Sequence, residues 1–254
     1  MEVAVDASWL IAVLVAFARA LAWLMVVPPF NNRTVIPSVA TIGIAAGLAL
    51  LVGPTIPAAS LPTDTAGLVG SLVVQIVTGV ALGFVVNLLL ATVTAAGSLL
   101  DLAGGLTLPP SVDPLGLDQT PLLGQFYEQV AVVLLFVSGG YLLMVQGFIT
   151  SFRAPPFTLG SSGRMASIVA TDLATFFTSA LEIAAPVLAV LFVAQVVLGL
   201  LAKSAPQVNV WVLGFPLQIF LALVLAGVGI SVLPGYVTHL LTRAVGDGAG
   251  LFGR

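Results

Sequence analysis

The sequence predicts an all-α membrane protein built from about six long, kinked hydrophobic helices arranged in hairpins. Of the 254 residues, 59% are hydrophobic and only 7% are charged, whereas a typical soluble domain is about 25% charged. With so few charges the chain cannot cover a water-facing surface, so lipid, other subunits or both must cover it. The apolar runs are continuous and rich in Leu and Ala, unlike the roughly ten-residue alternating segments of an outer-membrane barrel.

Long charge-free runs define the individual helices. These runs lie at 34–63, 65–100, 129–152, 183–202 and 204–242. A membrane-spanning helix needs about 20 residues, and several runs are longer, so we expect them to tilt, bend or project beyond the bilayer core. The six predicted helical segments cover residues 7–27, 35–53, 66–100, 121–151, 166–202 and 208–242.

Prolines and glycines indicate where these segments end or bend. Gly53-Pro54 is a stop signal for the second segment. In the last two segments Pro186, Pro216 and Pro234 each remove a backbone donor. We therefore expect each of these three prolines to kink or break its helix.

Composition also argues against catalysis and cofactor binding. The chain has no cysteine and a single histidine, His239, which excludes thiolate and multi-histidine metal sites. No nucleophile–base arrangement, nucleotide-binding P-loop or basic patch for nucleic acid is evident. We expect a protein that is not an enzyme and that uses no cofactor, no metal and no nucleic acid.

Small residues recur inside the apolar runs. Gly79-x-x-x-Gly83 is one such pair, and Ser138, Gly139 and Gly140 lie together in the fourth segment. Small residues let helix backbones approach closely where lipid provides no hydrophobic drive for association. The contacts could be made within the chain or with other subunits.

Two charges lie inside predicted helices. Arg19 lies in the first segment and Glu182 lies one turn before Pro186. A charge at bilayer depth costs at least about 2.5–3.5 kcal/mol and is usually relieved by pairing, snorkelling or a water-filled cavity. Glu182 is therefore an ion or proton site of a transporter, part of an interhelical pair, or a residue of a helix that does not lie at bilayer depth.

The segment from Asp101 to Pro121 is an unusual connector. It contains Gly104-Gly105 and Pro109-Pro110, yet it keeps several leucines. Paired glycines allow unusual backbone angles and paired prolines stiffen the chain. A loop of about 20 residues is uncommon unless it is functional or disordered. We interpret it as a constrained loop with an apolar tip, or as a plain surface loop.

A polar break, KSAPQVNVWVLGFP, separates the last two apolar runs. Pro206 should stop the fifth segment, and Gln207 and Asn209 can hydrogen-bond backbone groups that the break frees. Lys203 lies near a helix C-terminus, where cations are favoured by about 0.3–1 kcal/mol. Gly214-Phe215-Pro216 then adds a second bend.

The run LGLLAKSAPQVNVWVLGFPLQI resembles the signature of the FliR/SctT family of type III secretion export-gate subunits. The matching residues are Gly199, Lys203, Ala205, Pro206, Gln207, Asn209, Gly214, Phe215 and Pro216. Looser matches extend the resemblance to nearly the whole chain. One departure concerns the 101–121 loop, whose tip carries leucines and prolines in place of the family's aromatic or Met-rich residues.

The resemblance implies a single export-gate membrane domain with a FliP-like part at 1–164 and a FliQ-like helical hairpin at 165–254. The family assembles one such subunit with FliP and FliQ copies into a helical pore in the bacterial inner membrane, within the flagellar basal body. FlhB, FlhA, exported unfolded proteins and membrane lipid are the further partners implied. Much of the apolar surface would then be buried between subunits, and hydropathy would overstate the number of true spans.

The resemblance also implies a plug loop that closes the pore. By position, the candidate plug lies within about 101–120, and the implied gate residues are Gly104, Gly105, Leu106, Leu108, Pro109, Pro110, Asp113 and Pro114. The polar break at Lys203–Pro216 would be the end of a hairpin at the mouth that faces the cytoplasmic export machinery.

Three functions follow as hypotheses. The first is a structural subunit of the flagellar export gate, and the second is the equivalent subunit of a virulence injectisome, which neighbouring genes would distinguish. The third is a multispan secondary transporter that uses Glu182 and the helices interrupted near Pro186 and Pro216.

Overall fold

The computed structural model describes residues 7–32, 35–57, 61–62, 64–107, 121–153, 162–205, 207 and 209–250. All regular structure in these residues is helical, which confirms the predicted all-α class. The helices are α1 Ala7–Leu24, α2 Ser38–Val52, α3 Thr65–Gly104, α4 Leu122–Val137, α5 Gly140–Thr150, α6 Ser162–Ser204, α7 Val210–Gly229 and α8 Leu233–Gly250. Short 3-10 turns follow α2 at Gly53–Thr55 and α5 at Ser151–Arg153.

The predicted fourth segment is two helices, and its prediction as one continuous helix was wrong. The chain turns between α4, which ends at Val137, and α5, which begins at Gly140. Gly139, between them, has a φ of +74°, a left-handed conformation that only glycine adopts at little cost. The small residues at Ser138–Gly140 therefore mark a turn here.

The predicted sixth segment is also two helices, because α7 ends at Gly229 and α8 begins at Leu233 with a bend of 57°. Pro186 and Pro216 lie inside α6 and α7, and neither ends its helix. Of the two outcomes expected, a kink or a break, the break does not occur at either proline. Pro234 is the second residue of α8, where a missing N–H is tolerated because first-turn amides have no intrahelical partner.

The described helices support a membrane protein with fewer spans than the six predicted segments. Three are long and apolar enough to cross a bilayer, and five spans result if each bent pair is counted as one. The three are Ser38–Thr55, Thr65–Gly104 and Ala170–Ser204. Helix α1 is too short to be counted with them.

The chain divides into two compact units that do not follow sequence order. The first contains residues 1–88, 139–172 and 241–254. There α3 approaches α1 closely, since a Cβ on Gly79 would lie 2.5 Å from the Arg19 carbonyl oxygen and one on Gly83 would lie 2.9 Å from that of Trp23. The Gly79-x-x-x-Gly83 pair thus serves packing within the chain.

The second unit contains residues 89–138 and 173–240. Its core includes the fully buried Leu100, Leu135 and Leu191. Tyr127 in α4 is also buried, and its hydroxyl donates a 3.0 Å hydrogen bond to the Ala226 carbonyl of α7. The division at 164/165 into FliP-like and FliQ-like parts remains a prediction.

Candidate functional site

Asp101, in the last turn of α3, caps the start of α4. Its side chain is fully buried. Oδ1 accepts the Leu123 N–H at 3.0 Å and Oδ2 accepts the Gly124 N–H at 2.9 Å. These amides belong to the first turn of α4, where no intrahelical acceptor exists. Pro121, the residue before α4, makes no side-chain cap. The capping oxygens come instead from Asp101, which lies 22 residues before Leu123 in the chain.

The backbone of the same residue closes the end of α3. The Asp101 carbonyl accepts the Leu106 N–H at 2.9 Å, and the Leu102 carbonyl accepts the Gly105 N–H at 3.4 Å. Gly105 has a φ of +72°. This pattern of hydrogen bonds with a left-handed glycine is the Schellman motif that commonly ends helices.

Asp101 therefore fixes both ends of the connector in which the gate candidates lie. We call the region formed by residues 97–107 and 121–124 the neck. Of the predicted gate residues, Gly104, Gly105 and Leu106 belong to the neck. Leu108, Pro109, Pro110, Asp113 and Pro114 lie outside the described residues.

Helices α3 and α4 approach each other closely at the neck. A Cβ on Gly97 would lie 2.6 Å from the Leu123 carbonyl oxygen, and one on Gly124 would lie 2.6 Å from Ser98 Oγ. Real Cβ atoms are essentially never found at such distances from neighbouring atoms, so residue 97, which faces backbone atoms, requires glycine, whereas at residue 124 the Ser98 hydroxyl would have to move. The close approach brings the Asp101 carboxylate within hydrogen-bond distance of the α4 amides.

Helices α6 and α7 contact the other side of the neck. A Cβ on Gly104 would lie 2.5 Å from Ala222 Cβ, and one on Gly105 would lie 3.2 Å from the Phe215 ring. The structure thus brings a predicted gate residue, Gly105, next to a residue of the predicted hairpin motif, Phe215. In addition, Gln195 Nε2 donates a 3.2 Å hydrogen bond to the Ala103 carbonyl.

The other described residues of the hairpin motif lie in or after the last turn of α6 and in the first two turns of α7. Gly214 lies against α6, since its Cβ would be 3.1 Å from Leu198 Cδ1. Lys203, Gln207 and Asn209 are exposed.

Lys203 lies in the last turn of α6, as predicted. Asn209 precedes α7 and makes no side-chain cap there, and the hydrogen bonds expected from Gln207 and Asn209 to backbone groups of the break stay a prediction. Pro206 lies outside the described residues, and Pro216 lies within α7.

The buried Arg19 side chain contacts only uncharged groups among the partners described here, and these groups lie far from it in sequence within the first unit. Its Nε donates to Gln75 Oε1 and one terminal nitrogen donates to Ser151 Oγ at 3.0 Å. The guanidinium carbon lies 4.0 Å from the centroid of the Phe152 ring, a cation–π geometry. Arg19 is 3% exposed, so these contacts replace water around the charge.

Glu182 has a different environment. It is exposed on α6, far from Arg19 in sequence and in a different unit.

Sequence reasoning missed Asp101 as a functional residue. One signal was available, because Asp101 is the only charged residue between Asp64 and Asp113. No His, Cys, Asp and Glu cluster of metal-binding size occurs in the described part of the chain.

Comparisons with known proteins agree with the resemblance stated above. Residues 10–244 match the family described as Bacterial export proteins, family 1. The chain is 31% identical over 239 residues to flagellar biosynthetic protein FliR of Bacillus subtilis (strain 168), covering 92% of each protein. It is 28% identical over 239 residues to FliR of Escherichia coli (strain K12), covering 93% of this chain and 90% of that protein.

This chain is also similar to proteins that are not named FliR. Surface presentation of antigens protein SpaR of Shigella flexneri is 30% identical over 149 residues, which cover 59% of this chain and 58% of that protein. The family match extends from α1 into α8 and includes the neck, the polar break and both charged positions, Arg19 and Glu182. This chain therefore belongs to family 1 of the bacterial export proteins.

Proposed function

We propose that this protein is a non-enzymatic structural subunit of the flagellar type III protein export gate, helping to form and close the pore through which unfolded flagellar proteins leave the cytoplasm. The single observation that carries the proposal is the match of 239 residues, 92% of the chain, to a flagellar biosynthetic protein. The apolar helices place it in a membrane, which we propose is the bacterial inner membrane, as a multi-pass component of the basal body.

The neck supports a gate role for the connector between α3 and α4. A plug must hold its place while a pore is closed, and its ends must therefore be fixed to rigid elements. Asp101 supplies this fixation through its carboxylate and its carbonyl. We propose that the segment at about 101–120 closes the pore and that the neck is its support.

The exposed surface supports assembly with other subunits. Large apolar side chains of α6 are exposed, among them Phe177 and Phe192 at 68% and 65%. Contiguous apolar surface of this kind contacts lipid or another protein. We propose FliP and FliQ as the direct partners in the pore, with FlhB and FlhA as further components of the apparatus.

A deletion of the gene, with complementation by the full-length chain, tests the proposal. The deletion should abolish flagellin secretion into the medium and filament formation, and the wild-type gene should restore both. Normal filaments in a clean deletion would overturn the flagellar function.

The equivalent subunit of a virulence injectisome is the second candidate. The similarity to SpaR and to secretion system apparatus protein SsaT of Salmonella typhimurium favours it. The SpaR similarity covers 59% of the chain and the SsaT similarity is 25% identical over 85% of it, whereas FliR of Bacillus subtilis is 31% identical over 92%. The flagellar function is therefore preferred. Loss of effector secretion with intact motility in the deletion strain would favour the injectisome.

The third candidate, a secondary transporter, is tested at Glu182. Lost uptake of a small solute in the Glu182→Gln variant, with motility intact, would favour transport over export.

A further inference from the structure

Helix α6 carries two opposite faces between residues 178 and 191. The inner face is formed by Ala180, Ala184, Val187 and Leu191, all of which are buried. Residues two positions away point to the opposite side of a helix, because each residue turns the chain by about 100°. The outer face is formed by Thr178, Glu182, Ala185 and Ala189, all of which are exposed.

Larger apolar side chains lie on both sides of the outer face. Leu181 and Phe192 project on one side and are 55% and 65% exposed, and Val190 projects on the other and is 45% exposed. A strip of small residues between larger ones is the shape that admits a second helix at short distance.

Glu182 provides an independent reason to expect protein on this face. Its carboxylate has no hydrogen bond or ion pair with any residue that the structure describes. It lies well inside the apolar stretch Ala170–Ser204, about 18 Å along the axis from the start of that stretch. Lipid offers no hydrogen-bond donor at that depth, so an acyl chain is an unfavourable cover for a carboxylate.

The backbone adds a second acceptor at the same level. In an α-helix the N–H of residue 186 donates to the carbonyl of residue 182, but residue 186 is a proline inside α6 and has no N–H. The Glu182 carbonyl thus lacks its regular helical donor. The exposed carboxylate of Glu182 suits a cation with several N–H donors.

We propose that the outer face of α6, residues 178–189, is a docking surface for an apolar helix of a different subunit that presents an Arg or Lys side chain to Glu182. The inference deepens the proposed function and rests on it, because it supposes that the chain works in an assembly. A second copy of this chain is a poor occupant, since symmetric pairing would place two Glu182 carboxylates against each other.

The first experiment uses the full-length chain with an affinity tag, produced with the other subunits of its export apparatus and purified in mild detergent. The variants are Glu182→Lys and Glu182→Gln, and Asp64→Lys is the matched control because Asp64 is an exposed carboxylate outside α6. Reversing the charge should lower the recovered amount of the partner by roughly tenfold or more. Glu182→Gln should lower it less, and the control should leave it unchanged.

The crosslinking step of the second experiment does not depend on how the Glu182 variants fold. A photo-crosslinking residue is placed at Ala185 on the outer face, and at Val224, an exposed position on α7, as the control. The adduct at Ala185 should join this chain to another subunit near a basic residue of an apolar helix. An acidic substitution of that basic residue should then restore assembly of Glu182→Lys.

Three results would overturn the docking surface. They are wild-type recovery of all subunits with Glu182→Lys, an adduct at Ala185 to lipid or to a second copy alone, and failure of the charge exchange to restore assembly. If any one of them occurs while the wild-type chain co-purifies with the apparatus and restores motility, the proposed function stands and only the docking surface fails.

Discussion

Asp101, at the end of α3, accepts the backbone N–H of Gly124, near the start of α4, in a 2.9 Å hydrogen bond between buried groups. A second bond from Leu123 and the Schellman turn at Gly105 complete the neck. The connector proposed as the plug is thus held at both ends by one residue. This arrangement leads to the first prediction.

Asp101→Ala should destabilise the chain and loosen the gate. Two buried amides would lose their acceptor, so we expect about 2–4 kcal/mol of lost stability. The measurements are the thermal midpoint of the purified assembly and the small-ion permeability of membranes that contain it, which should rise. The control is Asp64→Ala, because Asp64 caps Gly67 at 3.1 Å in an exposed position and should cost less than about 1 kcal/mol. Equal effects of the two variants would contradict the neck.

Gly97→Ala should separate α3 from α4. The added methyl would lie 2.6 Å from the Leu123 carbonyl oxygen, so the helices must move apart and the capping bonds to Asp101 must lengthen. Gly70→Ala, in the same helix, is the control because a Cβ there meets nothing within 4 Å and alanine favours helix by up to about 1 kcal/mol. The midpoint of thermal unfolding should fall for Gly97→Ala and should not fall for Gly70→Ala. A stable Gly97→Ala variant would refute the close approach.

Gly105→Ala should cost more than Gly139→Ala. Both glycines have a positive φ, +72° and +74°, and each substitution should cost about 1–2 kcal/mol for the left-handed backbone. At residue 105 the methyl would also lie 3.2 Å from the Phe215 ring, whereas at 139 it meets nothing within 4 Å. In a double-mutant cycle, Phe215→Ala should remove part of the destabilisation by which Gly105→Ala exceeds Gly139→Ala. No coupling between 105 and 215 would contradict the contact.

Arg19→Lys should destabilise the first unit although it preserves the charge. An ammonium cannot bridge Gln75 and Ser151 while also stacking on Phe152 as the planar guanidinium does, so a buried charge would be left with too few partners. We expect a loss of about 2–3 kcal/mol, measured as a lower thermal midpoint and lower abundance in the membrane. Lys203→Met, which removes an exposed cation, is the control. If Arg19→Lys were as stable as the wild type, a positive charge alone would be sufficient at this position, and the hydrogen bonds and stacking of the guanidinium would not be needed.

The sequence by itself determined the fold class, the family and most helix limits. Composition required an all-α membrane protein, and local signals marked the ends of α2 at Gly53-Pro54 and of α6 near Lys203. These features depend on residues that are close in the chain, so inspection of the sequence recovers them. The resemblance carried by residues 199–216 identified the family for the same reason.

Tertiary structure decided the rest. Asp101 caps amides 22 and 23 residues away, and Arg19 meets Ser151, which is 132 residues away. No local pattern encodes such pairs, because the packing of distant segments determines which hydrogen-bond partner lies beside a given group. The bends at Gly139 and after Gly229, and the continuity of α6 through Pro186, were likewise fixed by packing, which outweighs the few kcal/mol of local preference that a proline or a glycine contributes.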